Sequence, residues 1–242
     1  MNRNAILAVS IAAASLSLSA WLLSSGIRNK GLRETVEVTG LAEKNFSSDL
    51  VVWRGSFNKM NMSLKDAYQM LKEDEAKVKA YLKGKGVHDS AIVFSAVDIN
   101  QEYDYQYYNG ENHRTFQGYR LTQSVKVESK DVNGIERISR EVTELIDQGV
   151  ELNSQAPEYY YTRLAELKLD LIKRATEDAK NRAQKISDAA GSALGKLRQA
   201  DMGIFQITGL HSSEEFSWGG AFNTDSREKT ARITVNLSYN LR

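Results

Sequence analysis

Between Thr162 and Leu197 the apolar residues Leu164, Leu167, Leu171, Ala175, Ala179, Ile186 and Ala190 recur at steps of three, four or seven. That spacing lays a narrow stripe along one side of a helix. Its later half is mainly alanine, so another element can approach closely. Lys168, Lys173, Arg174, Glu177, Lys180, Arg182 and Lys185 form a mixed-charge, water-facing side, on which Glu177 and Asp178 are read as solvated. Gly191 and Gly195 end the pattern. The stretch predicts a central helix on which a sheet is laid.

Upstream, residues 35–40 and 50–57 alternate, with Val36 and Val38 on one strand and Val51, Trp53 and Phe57 on the next. The polar residues between them, Lys44 to Asp49, predict a hairpin turn. Ser63 caps a helix with the stripe Leu64, Tyr68, Leu71, Val78 and Leu82, ending at the glycines of residues 83–86. Residues 92–108 return to a strand that carries Tyr103, Tyr105 and Tyr107 on one face. Asn109 and Gly110 supply a turn, and residues 113–128 come back with Phe116, Tyr119, Leu121, Val125 and Val127 inward. Asp131 caps a second helix, with Ile135, Ile138, Val142, Leu145 and Ile146 at helical spacing up to Gly149. Residues 150–161, with Pro157 at an edge or bulge, and residues 197–208 read as further strands. The last strand has six alternating apolar residues from Ala231 to Leu241. The polar stretch between Gly209 and Lys229 is too long for an ordinary hairpin loop and carries Phe216, Trp218 and Phe222. It reads as lightly ordered surface or a partner contact.

The predicted class is α+β: a largely antiparallel sheet with helices packed on one face, in the order β-β-α-β-β-α-β-α-β-β, behind an N-terminal membrane helix. Residues 1–33 form the anchor and linker and residues 34–242 the folded body. The aromatic hairpin has three readings, which are cross-strand packing of its rings, an interface between copies, or a ligand platform. Candidate contacts between copies are Tyr103, Tyr105, Tyr107, Phe116, Tyr119 and Trp218.

Charge alters this picture little. Against 32 Lys and Arg stand 31 Asp and Glu, a net charge of +1, so no global field draws in nucleic acid. Cysteine is absent, which removes disulfides, thiolate metal sites and cysteine nucleophiles. At the N-terminus, residues 5–27 contain no charge, and a helix of that length spans roughly 34 Å, enough to cross a bilayer. Arg3 precedes the run and Trp21 lies near its far end. The alternative is a signal peptide cleaved after Ala20 or Gly26. Arg28, Lys30 and Arg33 follow, and a simple count of cations favours keeping that side in the cytoplasm.

Catalytic chemistry finds no foothold. His88, His113 and His211 are scattered, without the paired spacing of a zinc helix. The run from Gly191 to Lys196 superficially suggests a phosphate loop, but it lacks Ser or Thr after the lysine and follows a helix where a strand is required. No Gly-x-Ser-x-Gly elbow occurs. The reading assigns no catalytic, metal or cofactor residues, and a hydrolase built on residues 209–229 lacks a nucleophile and base pairing.

Several short motifs, in order, resemble the SIMPL domain family. They are Val38, Thr39 and Gly40; Glu43; Asp49 to Val52; Gly86 and Val87; Gly118 and Tyr119; then Ala175, Asp178, Ala179, Ala183, Gly191, Leu194 and Gly195. Ser48 stands where the family commonly has proline. The resemblance covers about residues 34–242. It implies an α+β domain in the bacterial envelope, outside the cytoplasm, assembly of some members into large rings, and a role in envelope integrity or oxidative stress without a known reaction. On that footing the body is placed in the periplasm or outside the cell, held by a single pass in the cytoplasmic membrane through residues 5–27. The chain is then expected to be a non-enzymatic homo-oligomer without cofactor or nucleic-acid partner. The alternative is a periplasmic ligand-binding module using the Tyr103 to Tyr119 aromatics.

Overall fold

Two local signals start the helices where the sequence places them. Ser63 Oγ accepts the N–H of Asp66, and Asp131 Oδ1 accepts that of Gly134 at 2.9 Å, each satisfying a donor that a helix start leaves without a partner. The computed structural model describes residues 14–22, 24, 34–108, 111–213 and 219–242. Their order is β1 (Thr35–Ser47), β2 (Leu50–Asn61), α1 (Leu64–Gly84), β3 (Ile92–Phe94), β4 (Asp98–Tyr108), β5 (Glu111–Ser129), α2 (Val132–Glu141), β6 (Leu152–Ser154), β7 (Glu158–Tyr160), α3 (Leu164–Ala189), β8 (Leu194–Met202), β9 (Gln206–Gly209) and β10 (Glu228–Leu241). This is a mixed α+β fold with antiparallel sheets. One sheet runs β1-β10-β8 with β9 on β10; the other runs β3-β5-β2-β6 with β4 on β5 and β7 on β2.

The chain divides into two compact units. One comprises Met1–Ala42, Ile172–Gly203 and Ile233–Arg242; the other Glu43–Leu171 and Ile204–Arg232. In the second, Trp53 and Phe57 of β2 and Leu121, Val125 and Val127 of β5 are buried against Leu71, Val78 and Leu82 of α1 and Ile135 and Ile138 of α2. Both helices therefore cover one face of the six-stranded sheet. Asp74, on the buried stripe of α1, lies 3.0 Å from Lys59 Nζ on β2. In the first unit the sheet meets the alanines of α3 at close quarters. A Cβ built on Gly40 would stand 2.0 Å from the carbonyl oxygen of Ala175 and 2.6 Å from the nitrogen of Ala179.

Several expectations are corrected. β1 and β2 do not form a hairpin, because they belong to different sheets. Of the supposed turn residues, Lys44 to Ser47 extend β1 instead, and Asn45 Oδ1 accepts from Thr230 Oγ1 at 2.9 Å; just before them Glu43 pairs with Arg232. The N–H groups of Ser48 and Asp49 bond to Arg227 and Tyr160. The strand drawn over residues 92–108 is two, β3 and β4, because Ser95 intervenes and its Oγ accepts the Ser124 N–H at 3.0 Å. Residues 150–161 likewise split into β6 and β7 around Pro157, and the strand drawn over residues 197–208 is β8 and β9. The α3 stripe continues through Ala183, fully buried, whereas Ile186 is exposed. Leu64, Tyr68 and Ile146 also face solvent. Asp178 is not merely solvated, since its Oδ2 accepts the Leu41 N–H at 2.9 Å and lies 2.8 Å from Arg182 Nε. Residues 219–227 are tethered rather than lightly ordered: the carbonyl of Asn223 accepts from buried Lys229 Nζ, and that of Thr224 accepts the Tyr159 N–H at 2.7 Å.

Most of residues 1–33 lies outside the described residues, as does the Asn109 and Gly110 turn. Residues 14–22 and 24 are helical. Among the described residues no helix is long and apolar enough to cross a membrane.

Candidate interaction site

β5 is 19 residues long, and its two ends have different company. From Tyr119 to Ser129 it lies beside β2; from Glu111 to Gly118, among the described residues, it pairs with β4 alone. Among the described residues β4 in turn pairs only with β5. The hairpin tip is therefore a two-stranded ribbon with no further strand on its outer edges among the described residues. An isolated two-stranded ribbon is marginally stable in water, and open edges are templates for another chain.

The ribbon carries most of the singled-out aromatics on one face. Tyr103 and Phe116 are directly opposite, with ring centroids 5.4 Å apart in an edge-on arrangement, and Phe116 and Tyr119 are 5.2 Å apart in the same manner. Tyr119 also packs against the core, so the ribbon's aromatic face continues the buried face of the sheet. Arg114 lies 3.4 Å from the centre of the Tyr103 ring, occupying a face that a flat ligand would need. Tyr103, Phe116 and Tyr119 are thus brought together and largely satisfied by one another. Tyr105 and Tyr107 stand apart from that trio, 66% and 75% exposed. Trp218 lies outside the described residues.

Sequence reasoning missed Arg114, whose place opposite Tyr105 follows only from the register. It also missed the bulge at Gln117, where Glu102 pairs with Gly118 but Tyr103 pairs with Phe116. Gly118, with φ of 132°, was its signal, since glycine within a strand often marks a bulge. His88 precedes a short 3-10 turn, His113 lies on the ribbon opposite Gln106, and His211 follows β9. Among the described residues no group of three or more His, Cys, Asp or Glu could hold a metal ion.

The SIMPL family model, described as a protein of unknown function (DUF541), matches residues 36–239. No curated protein matches the chain.

Proposed function

The chain belongs to the SIMPL family, and on that footing we propose that it is a non-enzymatic envelope protein that works by associating with copies of itself. The observation that carries this reading is the ribbon, which has no further strand on its edges among the described residues and carries Tyr105 and Tyr107 at 66% and 75% exposure. Tyrosine suits an interface because it brings large contact area at low conformational cost. A ligand platform is the weaker reading, because Arg114 and the edge-on rings already occupy the trio's faces.

The uncharged run of residues 5–27 supports a single-pass anchor in the cytoplasmic membrane. The body then lies in the periplasm, where the family resemblance favours a part in envelope integrity or oxidative-stress protection. Light scattering on the purified full-length protein tests self-association. The wild type is expected to run as a defined multiple of the protomer at micromolar concentration, and Tyr105→Ser/Tyr107→Ser at a lower mass with unchanged circular dichroism. A wild-type monomer under those conditions would overturn the proposal. The cysteine-free chain permits a placement test: Ser192→Cys should react with a membrane-impermeant maleimide on intact spheroplasts. Labelling only after lysis would put the body in the cytoplasm.

A further inference from the structure

The unit comprising Met1–Ala42, Ile172–Gly203 and Ile233–Arg242 has β1 at an edge of its sheet, where among the described residues that strand pairs with β10 alone. The Leu41 N–H points away from β10, since it donates to Asp178 Oδ2 on α3 at 2.9 Å. Burial alternates residue by residue from Val36 to Ala42, and a strand turns the N–H and C=O of successive residues to opposite sides. The backbone groups of Thr39 and Glu37 therefore face outward, as those of Leu41 do. Val38, on the buried face, joins Glu37 and Thr39 of β1 and Arg182, Lys185 and Ile186 of α3 in lining an open groove of about 480 Å³ between strand edge and helix. Ile186 is 49% exposed. Arg182 meets Asp178 through Nε with its side chain still 53% exposed, and Lys185 is exposed as well.

We propose that this groove receives the ribbon of a second copy, with β4 lying along β1 as a further strand. Resting on the self-association proposed above, this pairing supplies the surface that the ribbon meets. Both partners are strand edges, so each satisfies the other's backbone groups, as when an extended segment is added to a sheet. Tyr105 and Tyr107, two residues apart, share a face of β4. Turned toward α3, their rings lie against Ile186 and offer their faces to Arg182 and Lys185, cations that an aromatic face attracts. Charge agrees with this placement: residues 102–118 hold Glu102, Asp104 and Glu111 against Arg114, so an acidic element approaches a basic wall. Groove and ribbon are different patches, so at each junction one copy gives its ribbon and the other its groove.

Light scattering on mixed variants of the full-length protein tests the pairing. Tyr105→Ser/Tyr107→Ser removes the ribbon's exposed rings, and Lys185→Glu/Ile186→Glu spoils the groove at two exposed positions while leaving Asp178 and Arg182 in place. Each alone is expected at a lower mass than wild type, with unchanged circular dichroism. Mixed in equal amounts they should form pairs of about twice the protomer mass, because one variant keeps its groove and the other its ribbon. A cross-link gives an independent readout, since the chain has no cysteine of its own. Glu37→Cys and Gln106→Cys, on the face of each strand turned away from α3, should be joined by a short bismaleimide when the two chains are mixed. A groove variant that keeps the wild-type mass would overturn this pairing and leave self-association standing, whereas a monomeric wild type would remove both. Gln106→Cys chains that join to one another instead would set ribbon against ribbon and overturn it too, as would a mixture that stays at the mass of its components without the cross-link.

Discussion

Phe116 and Tyr119 are three residues apart in one strand, an odd spacing that regular alternation would send to opposite faces, yet their ring centroids lie 5.2 Å apart. The extra residue is Gln117, opposed by nothing on β4. It resets the alternation, so that one aromatic face runs from the core through Tyr119 to Phe116 and Tyr103. Gly118 makes the arrangement possible in two ways. Its φ of 132° is poorly open to other residues, and a Cβ there would stand 2.7 Å from the carbonyl oxygen of Asn61.

Gly118→Ala should therefore cost about 1–3 kcal/mol, through backbone strain and contact with an immovable carbonyl. Urea unfolding measures it. The aromatic near-ultraviolet dichroism should weaken as the ring trio loosens, and an unchanged midpoint would show that the bulge relaxes freely.

Beyond that bulge the ribbon has little to protect its hydrogen bonds. Amides from Asn112 to Gln117 should exchange with solvent far faster than those from Leu121 to Val127, which lie beside β2. Their protection should rise with protein concentration as copies engage. Ribbon exchange independent of concentration would speak against the ribbon as the contact.

Gly40→Ala should destabilise the protein by about 2 kcal/mol or more, an overpacking cost with no flexible side chain to yield. The added methyl meets backbone atoms of Ala175 and Ala179 at 2.0 and 2.6 Å. Thermal unfolding provides the readout, and the matched control is Gly84→Ala, where nothing lies within 4 Å.

Asp178 should impose a pH dependence. The backbone N–H of Leu41 and then Arg182 hold its carboxyl below the ordinary value of 3.8. A depressed folded value means that the stabilisation is fully present above the unfolded value and is lost as pH falls through the folded one. The stability difference between wild type and Asp178→Asn should therefore stay constant from neutral pH to about pH 5 and shrink below about pH 4. Urea midpoints across that range check the sign; a difference that grows on acidification would reverse it.

Asp74 and Lys59 form the pair that joins α1 to β2, with side chains 3% and 18% exposed. Asp74→Ala leaves the lysine charge without its carboxylate and should cost about 3 kcal/mol. Asp74→Leu/Lys59→Met should recover most of that loss, because an apolar pair removes the desolvation penalty as well as the attraction. Chemical denaturation of the single and double variants separates the two effects.

The architecture was legible wherever short-range physics decides it. Ser63 and Asp131 announce their helices by capping, and β10 announces itself by alternation from Ala231 to Leu241. The aromatic hairpin followed from tyrosines at every second position. Partnership between distant segments was not legible. Lys44 to Asp49 has the composition of a turn, and only the presence of Thr230 and Arg232 beside it, nearly two hundred residues away, makes a strand of its first part. Hydrophobicity points to Ile186 on the α3 stripe, whereas the helix buries Ala183, which continues the four-residue spacing of Ala175 and Ala179, and leaves Ile186 exposed. Of the ribbon contacts, five residues were named from sequence. Arg114 was not, because its role depends on a register that the bulge shifts.

β5 passes through the bulge at Gln117 on its way from the ribbon to the core, where Val127 stands opposite Trp53. At about 3.3 Å per residue it is a rod of roughly 60 Å. Tension applied at the ribbon would pass along the strand and load the β2 ladder lengthwise, across the rungs from Tyr119 to Ser129. A neighbour that grips the ribbon would thus be moored, through a single strand, to the buried face of this unit.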